Sequence, residues 1–150
     1  KSLDDLWNNY YYGTASYFDL LKAILPKFGF DLIKTKNPKT LASDYGLYTE
    51  SLTNKVLLIA PNSPGFKSGF KINDEIISIN DILLENGNGN EWAGYFEGDL
   101  NLVIKKDGLL RSVVLKSTKS NYFDVVRLIE LEKLKPKVLK RKTKWLASSF

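Results

Sequence analysis

The sequence predicts an α+β fold in three stretches: a helical pair over residues 1–30, short strands mixed with short helices over 31–118, and a basic extension over 119–150. Three observations carry this. Leu3, Leu6, Trp7 and Tyr10, then Leu20, Leu21, Ile24 and Leu25, follow the 3–4 spacing of amphipathic helices. After Gly29 that period gives way to short apolar runs separated by Pro, Asn, Asp and Gly, the punctuation of strands and turns. Seven basic residues and no acid then fall within residues 133–144.

Taken in order, Ser2 followed three residues later by Asp5 reads as a capping box with the shorter acid, and Gly13 stops that first helix. Ser16 and Asp19 open a second helix, which Pro26 and Gly29 end. Phe30–Ile33 reads as a strand, followed by a polar loop through Asn37 and Pro38, and Tyr45-Gly46-Leu47-Tyr48 begins another extended segment. Val56–Ala60 is an apolar run of strand length. In the next stretch, Ser63 is a good N-cap, Pro64 suits the first helical position and Gly69 closes a single turn. Glu75–Ile79 reads as a strand between the turns Asn73-Asp74 and Asn80-Asp81. The run Asn86–Asn90 lacks the Gly-Lys-Ser/Thr of a phosphate-binding loop and reads as a connector, with Asn90 capping a short helix over Glu91–Phe96. Leu100–Lys105 and Leu109–Leu115 flank Asp107-Gly108, a strong hairpin signal. Tyr122–Leu131 suits a last strand or the start of a helix, and the segment from Pro136 to Phe150 has a helical pattern.

Composition excludes much chemistry. The 150 residues include no His, Cys, Met or Gln. Without Cys there is no disulfide framework and no thiol nucleophile; without His there is no imidazole base and no His-based zinc site. The expectation is therefore of no catalytic residue, no metal ligand and no cofactor in this chain. It begins at Lys1 and lacks Met, which reads as a piece of a longer protein. The net charge is +5, and removing the seven positive charges of residues 133–144 leaves −2 for the rest. The basicity belongs to one segment, and the chain as a whole, with nineteen Lys against three Arg, is poorly suited to bidentate phosphate or base recognition. No nucleic-acid partner is expected, and no apolar run reaches the 18 or so residues of a membrane span.

One stretch is far more specific than the rest: Ser63-Pro64-Gly65, Ser68-Gly69-Phe70, Asn73-Asp74, Ile76 and Ile79-Asn80-Asp81. It closely resembles the SPAxxAGLxxGDxIxxING signature of PDZ domains in bacterial and archaeal proteases. Two family Gly positions become Asn73 and Asp81, the residue types that best tolerate a left-handed backbone. The resemblance implies a PDZ-like, partly open antiparallel β-barrel with short helices. It also implies peptide binding by strand addition, with main-chain hydrogen bonds giving affinity and pockets giving specificity. On that reading Tyr45, Gly46, Leu47 and Tyr48 match the carboxylate-binding loop and its strand, with Gly46, Leu47 and Tyr48 offering N–H groups. Glu50, Trp92 and Phe96 complete the expected peptide-binding set across the Glu91–Phe96 helix.

The flanks resemble a narrower group. Leu6-Trp7, Tyr10 and Gly13-Thr14, then a helix ending near Phe28-Gly29-Phe30, are similar to the lead-in to the PDZ domain of glycyl aminopeptidase-type metallopeptidases; Tyr122 and Trp145-Leu146 are similar to that family's C-terminus. This implies a non-catalytic, peptide-binding or substrate-guiding module of a larger zinc-dependent aminopeptidase. Residues 1–30 would lead in from an upstream catalytic domain that holds the zinc. The partner is a peptide or protein C-terminus, or the parent's own catalytic domain. The alternatives are a PDZ module of another protease or of an adaptor, and a polyanion binder acting through residues 133–144.

Overall fold

A computed structural model of the chain describes residues 2–118 and 120–148. Lys1, Lys119, Ser149 and Phe150 lie outside the described residues, and with them the last two positions of the expected C-terminal helix.

α1 (Leu3–Leu6) starts where the capping box predicts. The Asp5 N–H donates to the Ser2 hydroxyl at 3.1 Å, and the Ser2 N–H donates to the Asp5 carboxylate at 3.0 Å. The helix widens into a π-helical turn over Trp7–Tyr11 before the chain bends at Gly13. α2 (Tyr17–Ile24) is capped by Ser16, and a 3₁₀ turn over Leu25–Phe28 ends at Gly29, whose φ of 83° is left-handed. There follow β1 (Phe30–Thr35), α3 (Thr40–Tyr45), β2 (Leu47–Thr49), β3 (Val56–Ile59), α4 (Pro64–Lys67), β4 (Glu75–Ile79), β5 (Ile82–Leu83) and α5 (Gly89–Tyr95). The chain closes with β6 (Leu100–Lys106), β7 (Leu109–Leu115), β8 (Val125–Glu130) and α6 (Pro136–Ala147).

The chain divides into two compact units, one comprising Lys1–Lys34 with Val126–Phe150 and the other Thr35–Val125. In the first, β1 pairs with β8. The Leu131 N–H donates to the Gly29 carbonyl at 2.9 Å. Trp145 of α6 packs its ring against Phe28 and Phe30, and the Lys142 ammonium lies over the Phe30 ring at 5.1 Å while pairing with Glu130. Part of the basic segment is thus spent on internal contacts.

In the second unit β5, β4, β6 and β7 form an antiparallel sheet, and β2 pairs with β3 in another. The sheets are open, so the fold is α+β with open antiparallel sheets rather than a closed barrel. The core gathers Leu41, Tyr45, Leu47, Val56, Phe70, Ile76, Ile79, Ala93, Leu100, Leu102, Ile104 and Leu115. β6 shows why its sequence is a strand: Leu100, Leu102 and Ile104 alternate inward while Asn101 and Lys105 face out. Asp107 and Gly108 both take positive φ, the two-residue hairpin turn that Asp-Gly specifies. α4 is the single turn the motif predicts, with the Phe66 N–H donating to the Ser63 hydroxyl at 3.2 Å. Asn73, Asn80 and Asp81 all have positive φ, which is why these residue types can stand in for glycine there. Asp74 fastens the motif: it accepts from the Lys71 N–H at 2.8 Å and pairs with Lys106 at 3.6 Å.

Three sequence readings need correction. Tyr45 does not begin an extended segment: it ends α3 (Thr40–Tyr45), Gly46 is left-handed, and the strand starts at Leu47. α5 begins at Gly89 rather than at an Asn90 cap, so Asn90 lies inside the helix. The Tyr122–Leu131 segment resolves as a strand that starts only at Val125.

Candidate functional site

The site lies wholly within the second unit, between β2 and α5. Among the described residues β2 pairs as a strand with β3 alone. Leu47 stands opposite Ile59 and Tyr48 opposite Leu58, and the Ala60 N–H donates to the Gly46 carbonyl at 2.9 Å. Because an antiparallel ladder alternates, this register turns the Gly46 carbonyl and the Tyr48 backbone toward β3 and the amide of Leu47 away from it.

Each sequence-predicted site residue has a definite place. Tyr45 closes α3 with its ring buried, and its hydroxyl donates to the Gly98 carbonyl. Burial pushes its phenol pKa up, and the negative charge of Asp44 adds to that. Gly46 caps α3 at φ 67°, and its N–H donates to the carbonyls of Ala42 and Leu41. A Cβ there would come within 2.3 Å of the Ser63 Cβ, so only glycine fits. Leu47 is buried in the core, while Tyr48 is half-buried, its ring 5.9 Å from that of Phe123. Glu50 is exposed at the far end of β2 and accepts from the Thr53 hydroxyl. Trp92 and Phe96, on and just after α5, pack against the core with nearly parallel rings 6.3 Å apart. The structure therefore brings Tyr45, Gly46, Leu47 and Tyr48 into one turn and strand, and Trp92 and Phe96 together on and just after α5, the helix whose Asn90 reaches Thr49 of β2; Glu50 lies at the edge.

The sequence reading missed what fills the space between. α3 runs back along β2, on the side of α5. Lys39, at its start, donates to the Ser51 hydroxyl at 3.1 Å and lies 4.9 Å over the Tyr48 ring. The Leu41 N–H donates to the Asn90 carbonyl oxygen at 3.1 Å, and the Asn90 amide donates to the Thr49 hydroxyl at 3.0 Å. A Cβ on Gly94 would sit 3.1 Å from the Thr40 hydroxyl. Leu41 and Ala42 are fully buried and Ser43 is 1% exposed; the Ser43 carbonyl accepts from the Tyr122 N–H at 2.9 Å. Outward, Asp44 pairs with Lys36 at 2.6 Å and accepts from the Ser43 hydroxyl at 2.6 Å. The available signals were Pro38 just before and Gly46 just after a short run, the usual flanks of a helix.

The residues present do not fit a zinc centre. The sequence offers no imidazole or thiolate, and among the described residues no three acidic side chains gather into a metal-binding group. No helix among them is long and apolar enough to cross a membrane.

No protein-family model and no curated protein matches the chain. Solved structures do. An aminopeptidase N family protein from Idiomarina loihiensis superposes with a TM-score of 0.68 at 13% identity, covering 93% of this chain and 25% of its own. The PDZ domain of HtrA3, solved with a phage-derived ligand, gives a TM-score of 0.42 at 17% identity over 67% of this chain and 92% of its own. The photosystem II D1 C-terminal processing protease gives 0.45 at 17% identity over 79% of this chain and 38% of its own. This chain spans about a quarter of the length of the Idiomarina protein, and it shares the fold of that quarter.

Proposed function

We propose that this chain is a non-catalytic, PDZ-like module of a larger zinc-dependent aminopeptidase, which receives peptide segments beside β2 and guides them toward an active site built elsewhere in the parent protein. The observation that carries the reading is a strand, β2, that among the described residues pairs with β3 alone, is headed by the Tyr45-Gly46 turn and is tied to α5 by the Asn90–Thr49 hydrogen bond. A peptide adding to β2 would take its register from Leu47 and its side-chain selectivity from Tyr48, Trp92 and Phe96. Glu50 would favour a basic residue toward the peptide's N-terminal end. The fold shared with a quarter of an aminopeptidase N family protein supports a parent of that kind, and the lack of His and Cys is consistent with a zinc site held elsewhere in that parent. In the first unit, an apolar hollow of about 360 Å³ lined by Leu3, Leu6, Trp7, Tyr10, Tyr17 and Leu20 supports the parent's own catalytic domain as a second partner.

The test is a comparison in the parent protein. Removing residues 35–125 should slow hydrolysis of long peptides at least tenfold and leave hydrolysis of a single aminoacyl amide within about twofold. Equal loss on both substrates would show a structural role only. Zinc-dependent turnover of a glycyl or alanyl amide by the isolated chain would contradict the reading outright.

A further inference from the structure

We propose that α3 is a built-in occupant of the β2–α5 groove, an autoinhibitory helix that must leave before a peptide can add to β2. The inference deepens the peptide-binding reading above and rests on it. Four contacts trace α3 along the groove: Lys39 to Ser51, Leu41 through Asn90 to Thr49, Thr40 against Gly94, and Tyr45 to Gly98. Asn90 is the clamp. Its one side chain joins the backbone of α3 to β2, so a strand cannot slide between β2 and α5 while that bridge stands. Leu41 is the anchor, fully buried in the same cluster as Ala93 and Leu47.

Four of the six residues of α3, Leu41, Ala42, Ser43 and Tyr45, are buried, so packing is what holds the helix in place. It is six residues long, its N-cap Lys39 makes no side-chain capping bond, and it is bounded by Pro38 and by left-handed Gly46. A helix that short has no stability apart from its packing, so undocking and unfolding are one event. A peptide then binds only the fraction of molecules in which α3 has left, and its apparent dissociation constant rises by the reciprocal of that fraction.

The chain has no cysteine, so Thr40→Cys with Gly94→Cys makes a single lock; the Thr40 hydroxyl already lies 3.1 Å from where the Gly94 Cβ would be. Two probes are titrated by fluorescence anisotropy: the peptide KNPKTLASDY, a copy of residues 36–45, and the free-acid pentapeptide Ala-Ala-Ala-Leu-Val. Leu41→Asp, which evicts α3, should bind the copy at least tenfold more tightly than the parent sequence does. The reduced lock variant should bind the pentapeptide at least tenfold more tightly than its oxidised form. A folded Leu41→Asp variant that gains no affinity for the copy, or equal pentapeptide binding by both lock states, overturns the proposal. If the copy binds Leu41→Asp but the pentapeptide binds nothing, the occupant stands and the peptide reading falls. Should Leu41→Asp fail to fold, hydrogen exchange on the unaltered chain decides: the Ser43 and Gly46 amides should exchange at least tenfold faster than those of Leu102 and Ile104, and matching rates would overturn the proposal.

Discussion

The side chain of Asn90 spans the gap between α3 and β2, accepting from the Leu41 N–H at 3.1 Å and donating to the Thr49 hydroxyl at 3.0 Å. Thr49 is almost wholly buried, so neither bond competes freely with water. Asn90→Ala should therefore cost about 1–3 kcal/mol, the usual penalty for leaving buried polar groups without partners. Chemical denaturation checks this. Loss of less than about 0.5 kcal/mol would mean that the bridge is not what holds α3.

Gly46 and Gly69 separate backbone strain from collision. Both have left-handed φ, 67° and 77°, but a Cβ at Gly46 would strike Ser63 whereas no described residue lies within 4 Å of one at Gly69. Gly69→Ala should cost about 1–2 kcal/mol, the ordinary penalty for an L-residue in that region. Gly46→Ala should cost clearly more or abolish folding. Equal losses by thermal or denaturant unfolding would remove the close packing of the turn on Ser63 from the account.

Tyr45 sets an alkaline limit. Its folded-state pKa is raised, by burial first and by Asp44 second. A raised pKa means stability that is fully present below the unfolded value near 10 and is lost as pH climbs through the folded value. Tyr45→Phe should flatten the fall in stability above pH 10, as read by denaturant midpoints at stepped pH. An unchanged slope would mean that the phenol ionises without disturbing the fold.

At the acid end the test is Asp31. Its pKa is lowered, chiefly by the hydrogen bond from Lys22, which also donates to the Leu32 carbonyl at 2.6 Å. The stabilisation is present above the unfolded carboxylate value and disappears as pH falls through the lowered one. Lys22→Ala should bring the Asp31 titration, followed by carboxyl NMR, back up toward 3.8.

How much the sequence revealed depended on how local the cause was. Ser63, Pro64 and Gly69 act within a single turn, and Asp107-Gly108 within two residues, so α4 and the β6–β7 hairpin could be read directly. α3 could not. A six-residue segment is too short to show a 3.6-residue period, and Thr40–Tyr45 is helical because Leu41 and Tyr45 find a core and Asn90 caps the Leu41 N–H from far along the chain. The same distance hid the role of Asn90, whose place before Glu91 looks like a local cap. Gly46 was legible only as part of the carboxylate-binding loop that the resemblance implies; that Ser63 packs against it was not. The turn and the facing helix were legible, and the occupant between them was not.

The most direct test is to map where a peptide lands. Ala-Ala-Ala-Leu-Val is titrated as the free acid and as the amide into the reduced Thr40→Cys/Gly94→Cys variant, with backbone amide shifts followed by NMR. The account predicts that the free acid shifts Gly46, Leu47, Tyr48 and Trp92, that the amide binds several-fold more weakly, and that oxidation abolishes both responses. A peptide that perturbs no residue of β2 or α5 in either redox state would contradict it.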